Sequence, residues 1–107
     1  MSFQVFVISD AENDIVESYE YVLYNDSRQK ANDVYIEIQR ACESLSELPE
    51  RGHLPPELKN IGVLDYREIH CKPYRIIYQI AGNKVFVHCV LHGKRDIKEL
   101  LEKRLIR

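Results

Sequence analysis

Nine residues near the C-terminus, His88-Cys-Val-Leu-His-Gly-Lys-Arg-Asp96, gather two histidines, a thiol and two basic side chains. Two chemistries suit that composition. Histidines four positions apart can share a metal ion when they sit on one helix face, and histidine with arginine can run acid–base chemistry on a phosphodiester. Cleavage of RNA needs a base for the attacking 2′-hydroxyl, an acid for the leaving 5′-oxygen, and cations on the non-bridging oxygens. Arg75 and His92 are the candidates for those roles, with Lys72, His88 and Lys94 as helpers. The plainer alternative makes His70 and His88 half-buried surface residues and pairs Arg75 with Glu68.

The local pattern decides against a metal ion. Lys84 to His92 alternates apolar and polar residues and reads as a strand, so His88 and His92 stand about 13 Å apart at roughly 3.3 Å per residue. Two ligands of one zinc ion sit about 3 to 4 Å apart. His70 approaches either one only across an intervening strand, about 9 to 10 Å away. No metal site and no cofactor is therefore expected. Cys42, Cys71 and Cys89 lack CxxC spacing and are expected to be free, reduced core thiols. No Ser-His-Asp order, GxSxG or phosphate-cradling glycine loop is present. Most of the seven tyrosines fall on helical stripes or strand positions that suit core packing better than base stacking.

The elements that must carry these residues follow from periodicity. Phe3 to Ile8 is β-branched and aromatic, an opening strand, and Ser9-Asp10 supplies an N-cap for a first helix. Ile15, Val16, Tyr19, Val22 and Leu23 form its stripe until Asn25-Asp26-Ser27 interrupts it. Val34, Ile38, Ala41, Leu45 and Leu48 repeat with the same period from about Arg28, and Pro49 and Gly52 end that run. Residues 49–62 read as a loop. Three strands follow, at Tyr66 to Lys72, Tyr74 to Ala81 and Lys84 to His92, with Gly82-Asn83 as the hairpin turn. Beyond Gly93, a terminal helix carries Ile97, Leu100, Leu101 and Leu105 on one stripe, with Asp96 helping to start it.

The predicted fold is α+β: a small antiparallel sheet with an N-terminal two-helix hairpin on one face, in the order β-α-α-β-β-β-α. Strict alternation puts Ile69, Cys71, Ile76, Tyr78, Ile80, Val85, Val87, Cys89 and Leu91 under the hairpin. Glu68, His70, Lys72, Arg75, Ile77, Gln79, Phe86, His88, Val90 and His92 then make an open, polar, basic face.

At 107 residues, the chain has the length of one domain, spanning 1–107, and can bury one core. No run reaches the roughly 18 to 20 apolar residues that span a bilayer, and the start lacks a signal-peptide pattern, so a cytoplasmic location with no membrane contact is expected. The net charge of −2 conceals an asymmetry. Residues 1–50 carry three basic against eleven acidic side chains, and the remaining residues carry twelve against six. A protein that grips nucleic acid through its backbone shows a positive excess, so such contact would fall to the second half alone.

Several segments together resemble the RelE/ParE superfamily of toxins from type II toxin–antitoxin systems. They are the opening strand and helical hairpin, LPERGHLPPEL at 48–58, DYREIHCKPYRIIYQI at 65–80, and VFVHCVLHGKRDIKELL at 85–101. Tyr66-Arg67, Pro73-Tyr74-Arg75-Ile-Ile-Tyr78 and Val90-Leu91-His92 followed by Arg95-Asp96 carry most of the likeness. It implies a toxin of a plasmid-stabilisation type module, held in check by a cognate antitoxin that alone contacts operator DNA. ParE-like members poison DNA gyrase, whereas RelE-like members cut messenger RNA on the ribosome.

Under the RelE-like alternative, Arg75 falls where some members have a catalytic strand arginine, and His92 falls near a terminal catalytic histidine. The tyrosine that often follows is Gly93 here, and Pro56-Glu57 matches the loop acid of some members poorly. A ribosome-docking nuclease should also be strongly basic. The Pro-Glu-x-Gly loop, Tyr66-Arg67 and the 91–96 ending favour the ParE-like branch, a gyrase poison without hydrolytic chemistry. Arg67, Arg75, Lys94 and Arg95 are the expected contacts for antitoxin or target, because an acidic segment would be steered to the basic half. A third reading is an antitoxin-binding remnant without toxicity.

Overall fold

The computed structural model describes residues 2–105. Strand β1 (Gln4–Val7) leads into the helices α1 (Ser9–Asn25) and α2 (Arg28–Ser44). A 3-10 turn (Pro49–Arg51) and the short helix α3 (Pro56–Lys59) then precede β2 (Arg67–Cys71), β3 (Tyr74–Ala81), β4 (Lys84–His92) and α4 (Ile97–Leu105). This is the expected α+β order with one small helix added in the loop, where Pro56 pre-sets φ for a first helical turn.

The sheet runs β1-β4-β3-β2. Strands β2, β3 and β4 form the antiparallel meander, and Gly82 supplies the positive φ of the hairpin turn. Strand β1 closes the other edge by pairing in parallel with β4, Gln4 opposite Lys84 through Val7 opposite Val87. Its alternation is clean. Val5 and Val7 pack inward, while Phe6 stacks outward on Phe86 with ring centroids 5.5 Å apart.

Helix α1 begins at Ser9 itself, with Ile8 at the N-cap and no side-chain cap, so the expected Ser9-Asp10 cap is corrected. Backbone pairing from Ile8 N–H to the Val87 carbonyl holds Ile8 extended, which puts Ser9 inside the first turn. Ser27 does cap α2, accepting from the Lys30 N–H at 3.2 Å, a bond type worth about 1 kcal/mol. The hairpin buries Ala11, Ile38, Cys42 and Leu45 against Ile69, Ile76, Tyr78, Val85 and Val87. Leu48, placed on the same stripe by period, lies beyond the end of α2 and is exposed.

The face assignment fails at one point. Ile77 pairs with Cys89 but Tyr78 pairs with Val87, so β4 holds one residue more than β3 there, namely His88. A bulge shifts side-chain parity by one residue. Past it, Val90 packs under the helical hairpin, whereas Cys89 and Leu91 turn to the opposite side. That opposite side is not open either. Ile97 and Leu101 of α4 cover Ile77, Cys89 and Leu91, with Leu58 and Tyr66, as a second apolar cluster. The side chain of Leu105 lies outside the described part.

Three free cysteines sit among these clusters, Cys42 and Cys89 buried and Cys71 half-buried. Burial pushes both the Cys42 and Cys89 thiols up to about 12, so they stay protonated and unreactive at neutral pH. Tyr66, Tyr74 and Tyr78 are core residues, but Tyr21, Tyr24 and Tyr35 are exposed along the hairpin, against the expectation that most tyrosines pack inside. None of the helices among the described residues is long and apolar enough to cross a membrane.

Candidate functional site

Arg75 projects from β3 on the α4 side of the sheet, opposite Leu91. Its guanidinium is committed. Nη1 and Nη2 donate to the two Glu57 carboxylate oxygens at 2.7 and 2.9 Å, and Nε donates to Glu68 Oε2 at 3.0 Å. Nη2 also reaches Glu68 Oε2. These carboxylates, Glu57 first, hold the guanidinium even more firmly protonated than usual. In return, Arg75 holds the Glu57 carboxyl below its ordinary 4.5. The pairing of Arg75 with Glu68 is the plainer of the two sequence readings; the second carboxylate comes from α3.

Glu68 is a hub. Its side chain is only 2% exposed, yet its Oε1 accepts from His53 Nε2 and from His70 Nε2, each at 2.9 Å. Those rings stand perpendicular, with centroids 5.2 Å apart. His70 shares a strand face with Glu68 through the i, i+2 alternation. His53 arrives because the loop before α3 pairs with β2: His53 N–H donates to the Glu68 carbonyl at 3.0 Å, and Glu68 N–H to the His53 carbonyl at 2.7 Å. Gly52 lets the loop come so near, since a Cβ there would lie 2.7 Å from the Glu68 carbonyl oxygen. His53 was not a candidate from sequence, and nothing in its spacing marks it.

His92 is elsewhere. It pairs across the ladder with Tyr74, against whose ring it packs edge-on, so it stands on the helical-hairpin side of the sheet. The expectation that Arg75 and His92 share one face is corrected, and the His88 bulge is the cause. His92 borders a second groove with Asp14, Glu17, Tyr21 and Arg95. His88 is half-buried, its Nε2 2.7 Å from Gln79 Oε1 and its ring edge-on to Tyr66. Burial, and then the Arg104 charge, keep it below 6.5.

The remaining predicted contacts divide in two. Arg67 Nη1 donates to the Gly52 carbonyl at 3.0 Å and pins the same loop. Lys94 and Arg95 are exposed on the turn after β4. Lys72 lies at the rim of the Arg75 groove with His53, Glu57 and His70. Arg104 is an internal residue that sequence reasoning missed. It crosses the edge of β4 to buried Asp14, with Nη1 to Oδ2 at 2.9 Å and Nη2 to Oδ1 at 2.7 Å.

The comparisons agree with this architecture. A chain described as the chromosomal ParDE TA system from P. aeruginosa superposes with a TM-score of 0.71 at 14% identity, covering 85% of this chain and 96% of that one. A chain from the toxin–antitoxin complex RelBE2 of Mycobacterium tuberculosis gives 0.59 at 18% identity, covering 86% and 99%. At such identities the likeness is one of fold. No curated protein matches the sequence. Residues 6–97 match the family described as the ParE toxin of the type II toxin–antitoxin system parDE. That match runs from β1 to the first residue of α4 and takes in both grooves, and by it this chain belongs to the ParE toxin family of type II toxin–antitoxin systems.

Proposed function

We propose that this toxin arrests growth by poisoning DNA gyrase and that a cognate antitoxin neutralises it. The observation that carries the gyrase reading is the division of Arg75 from His92. One guanidinium is occupied by two carboxylates on the α4 side, and the histidine stands on the other side of the sheet. Acid–base cleavage by this pair needs both groups within about 3 Å of one reacting phosphodiester, directly or through one water. The small negative net charge further disfavours docking to ribosomal RNA.

For the antitoxin, support comes from surface chemistry. Val16, Tyr21, Tyr24, Tyr35 and Ile36 leave large apolar surfaces exposed along the helical hairpin. Apolar surface on that scale suits a partner helix or strand, and exposed Lys94 and Arg95 suit its acidic residues. Arg75 is held by Glu57 and Glu68, and half-buried Arg67 uses Nη1 on the Gly52 carbonyl, so exposed Lys94 and Arg95 are the more accessible of the four basic contacts. Both similar structures carry toxin–antitoxin descriptions. Operator DNA would be reached only through the antitoxin, from a cytoplasmic complex.

One observation favours the RelE-like reading. His53, Glu57, Glu68, His70 and Arg75 share one groove, a set able to give and take protons without His92. The experiment is expression without antitoxin, followed by assays for trapped gyrase–DNA cleavage complexes and for cut ribosome-bound messenger RNA. Trapped complexes with intact transcripts are expected. Cut transcripts would move the assignment to the nuclease branch, and normal growth with neither effect would leave an antitoxin-binding remnant.

A further inference from the structure

We propose that His53, Glu68 and His70 form a binding site for one divalent transition-metal ion such as zinc or nickel, independent of how the toxin acts on its target. Their nearest ligand atoms, two Nε2 and one Oε1, all lie within 4.8 Å of one another. The two nitrogen–oxygen separations are 2.9 Å. Three ligands about 2.0–2.2 Å from a tetrahedral ion are about 3.3–3.6 Å apart, so the two nitrogen–oxygen separations open by roughly 0.4–0.7 Å and the two nitrogens, within 4.8 Å of each other, adjust to the same spacing as the ion enters. Two imidazoles and a carboxylate suit borderline ions rather than magnesium or calcium, which take oxygen ligands.

The site is built rather than incidental. The paired backbone bonds between His53 and Glu68 fix the spacing of two ligands, and strand alternation fixes the third. Arg75 holds Glu68 Oε2 and so leaves Oε1 aimed at both rings, the kind of outer support that metal-binding carboxylates receive. Both imidazoles are about half exposed, at 58% and 52%, so solvent can complete the coordination sphere. Charge also permits it. Glu57 and Glu68 outnumber Arg75 by one, and the other cation lining the groove, Lys72, is exposed.

Each ring donates Nε2–H to a carboxylate that only accepts. Coordination moves that proton to Nδ1 in each neutral ring and turns the Nε2 lone pair toward the ion. The ion replaces two hydrogen bonds and ties the loop before α3 to the edge of the sheet.

Equilibrium dialysis of the chelator-treated full chain against zinc, nickel, cobalt or magnesium tests this. One zinc, nickel or cobalt per chain and no magnesium is expected. Bound cobalt should show ligand-field absorption without a thiolate charge-transfer band. His53→Ala and His70→Ala should each weaken zinc binding at least tenfold, whereas Cys71→Ser and His92→Ala should not. Absence of stoichiometric zinc binding by the parent chain, or binding that survives both His53→Ala and His70→Ala, would overturn the proposal. Neither readout involves gyrase or RNA, so failure here leaves the toxin reading standing, and the reverse holds.

Discussion

Arg104 of α4 and Asp14 of α1 are joined by two hydrogen bonds across the edge of β4, beyond the point where β1 stops covering it. Asp14 Oδ2 also accepts from the Val90 N–H at 3.0 Å, and Arg104 Nη1 donates to the His88 carbonyl at 2.9 Å. One ion pair thus ties the helix on one side of the sheet to the helical hairpin on the other and satisfies the backbone between them.

Breaking that pair should be costly. Arg104→Met leaves Asp14, 5% exposed, without its cation, a loss of about 3–5 kcal/mol for a buried pair. Adding Asp14→Leu removes the stranded charge and should restore much of the stability. A residual deficit of about 1–3 kcal/mol should remain, because the Val90 N–H keeps no acceptor. Urea denaturation of the parent, single and double variants measures all three values. A single variant as stable as the parent would show that α4 is held by Ile97 and Leu101 alone.

Glu57 and Glu68 should respond differently to removal although both bind Arg75. Glu68→Ala strips a buried carboxylate from Arg75, His53 and His70 and should cost about 3–5 kcal/mol. Glu57 is partly exposed, and its signature is instead a pH dependence. Because its folded-state pKa is depressed below 4.5, its stabilising contribution is complete above 4.5 and is lost as pH falls through the folded value. Glu57→Gln should flatten that part of the acid limb in a stability–pH profile. An unchanged limb would mean that other carboxylates set it.

His88 marks the limit of what the sequence reveals. The three meander strands and both long helices are legible from period, and the hairpin turn from Gly82-Asn83, because each is encoded within a few residues. The bulge is not. It depends on how β4 must meet β3 and α4 at once, and it inverts the faces of every residue after it. The His53–Glu68 bridge and the Arg104–Asp14 pair are hidden for the same reason, since their partners are distant in sequence and only tertiary packing brings them together. Residue types did carry over before the bulge, where Glu68, His70 and Arg75 share a face as alternation requires.

His88 also supplies a pH test. Burial and Arg104 depress its folded-state pKa, so the unfolded chain takes up its proton first as pH falls. The contribution is full above about 6.5 and declines below it until the folded value is reached. His88→Gln should remove this dependence between pH 6.5 and the folded pKa, as read by denaturation midpoints. Persistence of the slope would assign it to another histidine.

Gly52 predicts a steric effect next to the proposed metal site. Its N–H donates to the Tyr78 hydroxyl at 3.1 Å, and that hydroxyl donates to the Pro49 carbonyl at 2.6 Å. A methyl group at Gly52 meets the Tyr78 hydroxyl and the Glu68 carbonyl together, so backbone must shift. Gly52→Ala should cost about 1–3 kcal/mol, the range for overpacking a tight site, and should lower the melting temperature. An unshifted melting temperature would show that the loop moves away from β2 without penalty.

Arg75 and His92 should behave as independent positions. His92 is exposed, and among the described residues its ring meets the edge of Tyr74 and accepts from the Lys94 N–H at 3.3 Å. His92→Ala should therefore change stability by no more than about 0.5 kcal/mol. Arg75→Ala strands buried Glu68 and should cost about 3–5 kcal/mol. Their effects should add in the double variant, because the sheet separates them and among the described residues they share no hydrogen-bond partner. In antitoxin-free expression, His92→Ala should still arrest growth with gyrase cleavage complexes trapped. A folded His92→Ala chain that no longer arrests growth would return His92 to the chemistry and favour the nuclease branch.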